Sequence, residues 1–189
     1  MRKLLGSALV LAVLVFAGTA AAAAQSDVRF GLGAGVVIPM GDYSDDVAWG
    51  DKLGFLFGAG ASIGLGTAPV RIRVEGSYSQ TAHDSAAWGG VDGNTKILGG
   101  MASVVYPFET AGKVKPYVLA GIGYYSVKES ILDESESGVG FGGGAGLMLA
   151  AGSANILLEV RYLTSKAGGL NFARLPIMVG VSFGGAKKM

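Results

Sequence analysis

The sequence contains no cysteine. That excludes a disulfide framework, thiol redox chemistry, thiolate metal centres and a lipid-modified cysteine behind a leader. Charge is also scarce, at 15% of residues against a typical share of about 25%. With half the residues hydrophobic, the chain has too little charge and too much apolar surface to stay disordered. The formal net charge is +1, and no basic stripe marks a nucleic-acid partner. Beyond the first 24 residues no unbroken apolar run reaches the length of a membrane-spanning helix. A single histidine, His83, limits acid–base chemistry near neutral pH to one side chain.

Glycine is abundant, with 33 residues, but it lacks the triplet period of collagen. The length fits one domain. Met1 to Ala24 places Arg2 and Lys3 before the apolar run Leu4 to Phe16 and ends in an Ala-rich stretch. This is the pattern of a secretory signal peptide cut after residue 24. The alternative, an anchor helix, would need a longer run and a basic stop-transfer flank. Removal leaves residues 25–189, with 13 basic and 14 acidic side chains.

The remaining chain alternates with a period of two. In Leu175 to Phe183, Leu175, Ile177, Val179, Val181 and Phe183 share one parity, while Pro176, Met178, Gly180 and Ser182 share the other. Successive side chains of a strand point to opposite faces, so the segment has one unbroken apolar face. The same pattern recurs in Val28–Met40, Leu53–Leu65, Val70–Ser79, Leu98–Phe108, Lys115–Val127, Gly138–Leu149 and Ile156–Tyr162. Eight strands are predicted. Connections of about ten residues or more are expected after the first, third, fifth and seventh, with short turns after the others, as in a transmembrane barrel.

A soluble sheet would turn its apolar face to a core and a polar face to water. Here the second face is mostly glycine with Arg71, Arg73, Glu75, Glu159 and Arg161. Eight strands closing on themselves leave an interior just wide enough for side chains. These five charges are therefore expected to pair in a lumen network, since isolated buried ions are costly. The apolar parity carries no charge in mid-strand, where one Arg or Lys facing lipid would cost about 2–4 kcal/mol. Closure satisfies every backbone polar group in a medium without water. Phe30, Tyr106, Phe108 and Phe183 are expected as an interfacial girdle on the short-turn side, with Tyr78, Tyr124 and Tyr162 towards the long loops. The fold expected is an all-β, eight-stranded, antiparallel, up-and-down transmembrane β-barrel. A soluble lipocalin-like barrel would need polar residues outside.

The leader, the eight strands and segments such as VRFGLGAGVVIPMGDYSD, VRIRVEGSYSQ, KPYVLAGIGYY and ILLEVRYL resemble the porin-family outer-membrane β-barrel domain of outer-membrane protein A and its small relatives. The resemblance implies a bacterial outer-membrane location, contact with outer-membrane lipids and lipopolysaccharide, and handling by the barrel-assembly machinery through a terminal aromatic. In this chain that aromatic is Phe183, followed by six further residues. A monomer without cofactor or resident metal is expected, and no enzymatic activity.

Three other chemistries suggest themselves. Some barrels of this kind modify lipid A, which would make His83 a base and Ser85 or Ser77 a nucleophile; the plainer expectation is a solvated loop histidine. Asp42, Asp45, Asp46 and Asp51, with Glu129, Asp133, Glu134 and Glu136, supply carboxylates for a hard cation, but without an EF-hand spacing; solvated loops are again the plainer expectation. Interior Arg29, Lys52, Arg71, Arg73, Arg161 and Arg174 would favour anions if a path existed, yet wide channels need about 16–18 strands.

Overall fold

The computed structural model of the chain describes residues 27–44, 50–86, 89–130, 135–167 and 169–184. The leader segment, Asp45, Asp46, Trp88, Asp133, Glu134 and residues 185–189 lie outside the described residues. Eight strands follow one another: β1 (Val28–Met40), β2 (Gly54–Gly64), β3 (Arg71–Ala82), β4 (Asn94–Pro107), β5 (Val114–Glu129), β6 (Ser135–Ala151), β7 (Ala154–Ala167) and β8 (Leu170–Gly184). Each pairs antiparallel with its sequence neighbours, and β1 pairs with β8, so the sheet closes into an up-and-down barrel with no free edge. No helix among the described residues is long and apolar enough to cross a membrane.

The alternation sorts the side chains by face. Leu32, Val36, Phe57, Val74, Leu98, Ile122, Phe141, Leu158 and Val179 are exposed on the outer wall. Their neighbours in sequence fill the interior. In β5, where both parities are apolar, Val118, Ile122 and Tyr124 face out while Tyr117, Leu119, Tyr125 and Val127 are buried inside.

The interior is filled unevenly, and glycine explains how. Tyr125 reaches across the inner wall so that a Cβ added at Gly99, Gly123 or Gly140 would meet its ring within 3 Å. Gly146 plays the same part beside Tyr117. Large rings on β5 thus occupy the space that glycines on β4 and β6 leave open, a form of aromatic cover over backbone without side chains. Two apolar clusters result: Tyr43, Ile97, Tyr125, Val127 and Phe172 towards the loop end, and Met101, Val105, Tyr117, Leu119 and Leu163 lower down.

The loop pattern differs from the sequence expectation. Residues 41–53 and 83–93 form long connections, but only 130–134 separate β5 from β6, and only 168–169 separate β7 from β8. The polar stretches read as loops after the fifth and seventh strands are largely strand: Lys128 pairs with Ser135, and Lys166 with Asn171. The reason is that strands of 14 to 17 residues exceed the 9–11 needed to cross a bilayer. Their upper ends stand in water, where polar residues are as suitable as in a loop.

Candidate functional site

The lumen is crossed by a charged network. Arg73 and Glu75 come from β3, and Glu159 and Arg161 from β7, strands four places apart in the ring of eight and therefore on opposite walls. Arg73 Nη1 donates to Glu159 Oε2 at 2.7 Å, and the Tyr117 hydroxyl donates to the same oxygen at 2.7 Å. Arg161 pairs with Glu159 through Nε and forks onto Glu75, its Nη2 lying 2.8 Å from Glu75 Oε2. Arg73 also lies 3.9 Å from Glu75. Of the five charges expected in one network, these four come together and the fifth does not. Arg71 stands apart at the short-turn end, where it pairs with Asp27 and donates from Nε to Ser62 Oγ at 3.3 Å. Its sequence position, two residues from Arg73 on the same inward parity, puts it about 7 Å further along the strand. Beside the network lies a cavity of about 90 Å³, lined among others by Arg29, Ser62, Ser77, Met178 and Ser182.

A second polar cluster sits at the loop end, and sequence reasoning placed most of it wrongly. His83 is not a solvated loop histidine: its side chain is fully buried, and its backbone forms a bridge with Asp51. Nor are Asp51 and Glu129 solvated loop carboxylates, since both side chains are equally buried. His83 Nε2 lies 3.0 Å from Thr95 Oγ1, and that hydroxyl donates to Asp51 Oδ2 at 2.8 Å. Glu129 Oε1 is 3.6 Å from His83 Nδ1. Tyr43, carried on a single 3₁₀ turn (Gly41–Tyr43), packs edge-on to Phe172 and shares a 2.7 Å hydrogen bond with Thr81. Arg174 lies inside as expected, its guanidinium 4.4 Å from the Tyr125 ring centre. Lys52 does not: its side chain is 61% exposed and pairs with Asp84 at 2.8 Å.

Ser85 is not brought onto the His83 ring as a nucleophile; it lies in the following turn, where its carbonyl accepts the Gly90 N–H at 2.7 Å. Ser77 lines the lumen cavity, six residues down β3 from His83, or roughly 20 Å. The hydroxyl actually next to His83 is Thr95, which the sequence gave no reason to single out. Acid, imidazole and hydroxyl are in series there, yet the proton runs the wrong way for nucleophile activation. Thr95 gives its hydrogen to Asp51, so His83 Nε2 meets an oxygen that can only accept.

Electrostatics at this end follow from burial. Desolvation lifts the Asp51 carboxyl to about 6, against hydrogen bonds from Thr81 and Thr95 that favour its ionised form. Burial lowers the His83 imidazole, with Glu129 opposing. Burial, with Asp51 nearby, raises the Tyr43 phenol. Outside, the Lys52 contact lowers the Asp84 carboxyl. Folded Asp51 holds its proton to about pH 6 while the unfolded carboxyl releases it near pH 4. Its contribution to stability is therefore full below about pH 4 and is lost as pH rises to about 6. His83 acts in the opposite sense, contributing above about pH 6.5 and losing that contribution on acidification. Asp51→Asn is expected to remove the loss on the alkaline side and leave a barrel roughly 2 kcal/mol more stable than the parent at pH 7. Urea midpoints of the folded gel band from pH 4 to 7 measure this; parallel curves for the two proteins would contradict it.

The aromatics expected as girdles lie towards the two ends of the barrel. Phe30 and Phe183 pair across the closing seam with ring centres 6.4 Å apart, and Tyr106 and Phe108 meet edge-on with centres 5.2 Å apart. At the other end Tyr78 lies 6.3 Å from Phe55, while Tyr124 and Tyr162 are exposed on the outer wall.

Residues 8–183 match the outer membrane protein beta-barrel domain family. Neisserial surface protein A superposes with a TM-score of 0.66 at 18% identity, over 83% of this chain and 96% of that one. The N-terminal barrel of Pseudomonas aeruginosa OprF gives 0.47 at 18%, over 84% and 98%. Yersinia pestis Ail gives 0.43 at 23%, over 84% and 97%. No curated protein sequence matches the chain.

Proposed function

Since the chain belongs to the outer membrane protein beta-barrel domain family, and is a barrel of the bacterial outer membrane, we propose that it serves a structural or surface-interaction role there, without enzymatic activity and without a wide pore. In this reading residues 1–24 direct export, and the barrel stands as a monomer among outer-membrane lipids and lipopolysaccharide after insertion by the assembly machinery.

The observation that supports it is the network joining opposite walls. A solute travelling along the axis has to pass between Arg73, Glu75, Glu159 and Arg161, whose side chains are at most 16% exposed. The loop end is filled as well, by Tyr43, Phe172, Arg174 and the His83 cluster. The enzymatic alternative is disfavoured by the direction of the Thr95 hydrogen bond and by the burial of Thr95, which leaves an acyl chain no approach to it.

Reconstitution in planar bilayers, paired with mass spectrometry of lipid A from cells with and without the protein, tests both parts. No nanosiemens steps and an unchanged lipid A spectrum are expected. Steady steps of porin size would overturn the closed-lumen reading. Loss or gain of an acyl mass that His83→Ala abolishes would establish the enzymatic one.

A further inference from the structure

Glycine opens the lumen on one side. Along β1 and β2 the inward positions Gly31, Gly33, Gly58 and Gly60 carry no side chain, and the cavity of about 90 Å³ lies against them. It runs from the charged network down to Arg29, Ser62 and Ser182, each within two residues of a strand end at the short turns. The Arg29 side chain is 29% exposed, which puts the opening at that end. A space of this size holds a cluster of several water-sized groups, enough for a tetrahedral oxyanion.

Its lining carries three positive charges, Arg29, Arg73 and Arg161, against two negative ones, Glu75 and Glu159. The network pairs Arg73 and Arg161 with the two carboxylates. Arg29 is the surplus. Its nearest acid, Asp27, is held by Arg71 through both the carboxylate and the backbone carbonyl. Arg29 Nε lies 3.4 Å from Asp27 and, shut off from solvent, makes no hydrogen bond. Its Nη1 donates to a thioether, Met148 Sδ, at 3.5 Å, and sulfur is a weak acceptor. Residues 1–26 and 185–189, which flank the barrel, contain no Asp or Glu. Among the short turns, 65–70, 108–113 and 152–153, the only acid is Glu109, exposed in the turn that leads to Lys113 and Lys115.

Two hydroxyls flank this guanidinium. Ser62 is the register partner of Arg29 on β2, and Ser182 on β8 faces Gly31, one inward position further up β1. Ser62 Oγ accepts from Arg71 Nε at 3.3 Å and Ser182 Oγ from Asn155 Nδ2 at 3.5 Å. Each therefore keeps its own O–H as a donor. A guanidinium between two hydroxyls, beside an uncovered backbone wall, suits the oxygens of a tetrahedral anion.

We propose that Arg29, with the hydroxyls of Ser62 and Ser182, binds a small free oxyanion of the phosphate or sulfate class inside the lumen, admitted from the short-turn end. The barrel wall separates the cavity from lipid, so the occupant is a dissolved anion and not a headgroup. The inference rests on the closed-lumen reading, because an open channel would conduct such an anion instead of holding it.

Equilibrium dialysis of labelled inorganic phosphate against the folded barrel in uncharged detergent tests this. Chloride sets the ionic strength at about 0.15 M, which screens surface attraction beyond about 8 Å. The parent should take up phosphate saturably, and sulfate should compete. Hydrogen bonds to a charged group carry about tenfold in affinity or more, so Arg29→Gln should bind roughly tenfold more weakly and Arg29→Lys should recover part of the loss. Lys113→Gln removes the same charge from the exposed turn and should change nothing. Gly31→Ala/Gly58→Ala keeps every charge, and its added Cβ atoms come no closer than 3.4 Å to a neighbour. That variant should fold and bind less, since its methyl groups take up the space. A heat-dependent gel shift verifies that each variant is folded. Absence of saturable uptake, unchanged affinity in Arg29→Gln, or an equal loss in Lys113→Gln would overturn the inference. Unchanged affinity in the glycine double variant would also overturn it, by placing the anion outside the cavity. Steady nanosiemens steps in planar bilayers would defeat the closed lumen itself, whereas absent uptake defeats only the anion site.

Discussion

Glu159→Gln should lower the stability of the barrel by about 3 kcal/mol, among the largest effects of any conservative change in the lumen. Glu159 is 4% exposed and takes Arg73, Arg161 and Tyr117 on its two oxygens. Without its charge, two guanidinium groups from opposite walls are left with Glu75 alone, which Arg73 approaches only to 3.9 Å. Breaking a buried pair from one side costs about 3–5 kcal/mol, because the remaining charge stays desolvated. The adjoining cavity of about 90 Å³ admits some water, which argues for the lower end. Glutamine keeps the volume, so no new void contributes. Tyr117→Phe removes one hydrogen bond to the same carboxylate and should cost about 1 kcal/mol. Urea midpoints of the folded gel band separate the two. A Glu159→Gln midpoint no lower than that of Tyr117→Phe would show that the lumen is wet enough to solvate both arginines, and the closed-lumen reading would lose its main support.

The barrel itself was legible because lipid imposes a one-sided rule. Leu175, Ile177, Val179, Val181 and Phe183 are all apolar since none of them has an alternative, and the outer wall of β8 carries them in that order. The lumen network was legible for the converse reason: Arg73, Glu75, Glu159 and Arg161 stand on the parity that lipid does not police. The ends of the strands were not legible, and the same rule explains why. Inside a small barrel polar residues are acceptable at every height, so Thr81 and His83, which continue the inward parity of Ser77 and Ser79, look the same as a loop in water. Glu129 likewise continues Tyr125 and Val127. Polarity marks the boundary of a strand only on the face that meets lipid, and above the membrane even that signal ends. Hence β5 and β7 ran further than expected, and three side chains read as solvated are buried in the mouth of the barrel. Thr95 could not have been found by any motif, because its neighbours arrive from three other segments of the chain.

Gly35→Val should cost about 3 kcal/mol, the upper end of the range for overpacking, and the loss should appear as barrels that fail to close. Gly35 faces inward on β1 opposite Met178 on β8, at the seam that joins the first strand to the last. A Cβ placed there would lie 2.0 Å from the Ile177 carbonyl oxygen and 2.8 Å from Met178 Cα. Both obstacles are backbone, so no side-chain rotation relieves them, and the strands must separate where their ladder bonds close the sheet. Valine adds two methyl groups to the same gap. Gly31 is the comparison: it has the same parity on the same strand and also faces β8, but its added Cβ would meet the Val181 oxygen at 3.4 Å, an ordinary contact. Gly31→Ala is expected to fold with little loss. The two glycines are indistinguishable in sequence, both lying between apolar neighbours, and differ only in how closely the opposite strand approaches. Refolding into detergent, read as the fraction that migrates as the compact, heat-sensitive band, should fall sharply for Gly35→Val and stay near the parent value for Gly31→Ala. Equal folded fractions would mean that the seam is loose enough to absorb a side chain, and that closure depends on the aromatic pair Phe30 and Phe183 below it rather than on close approach at Gly35.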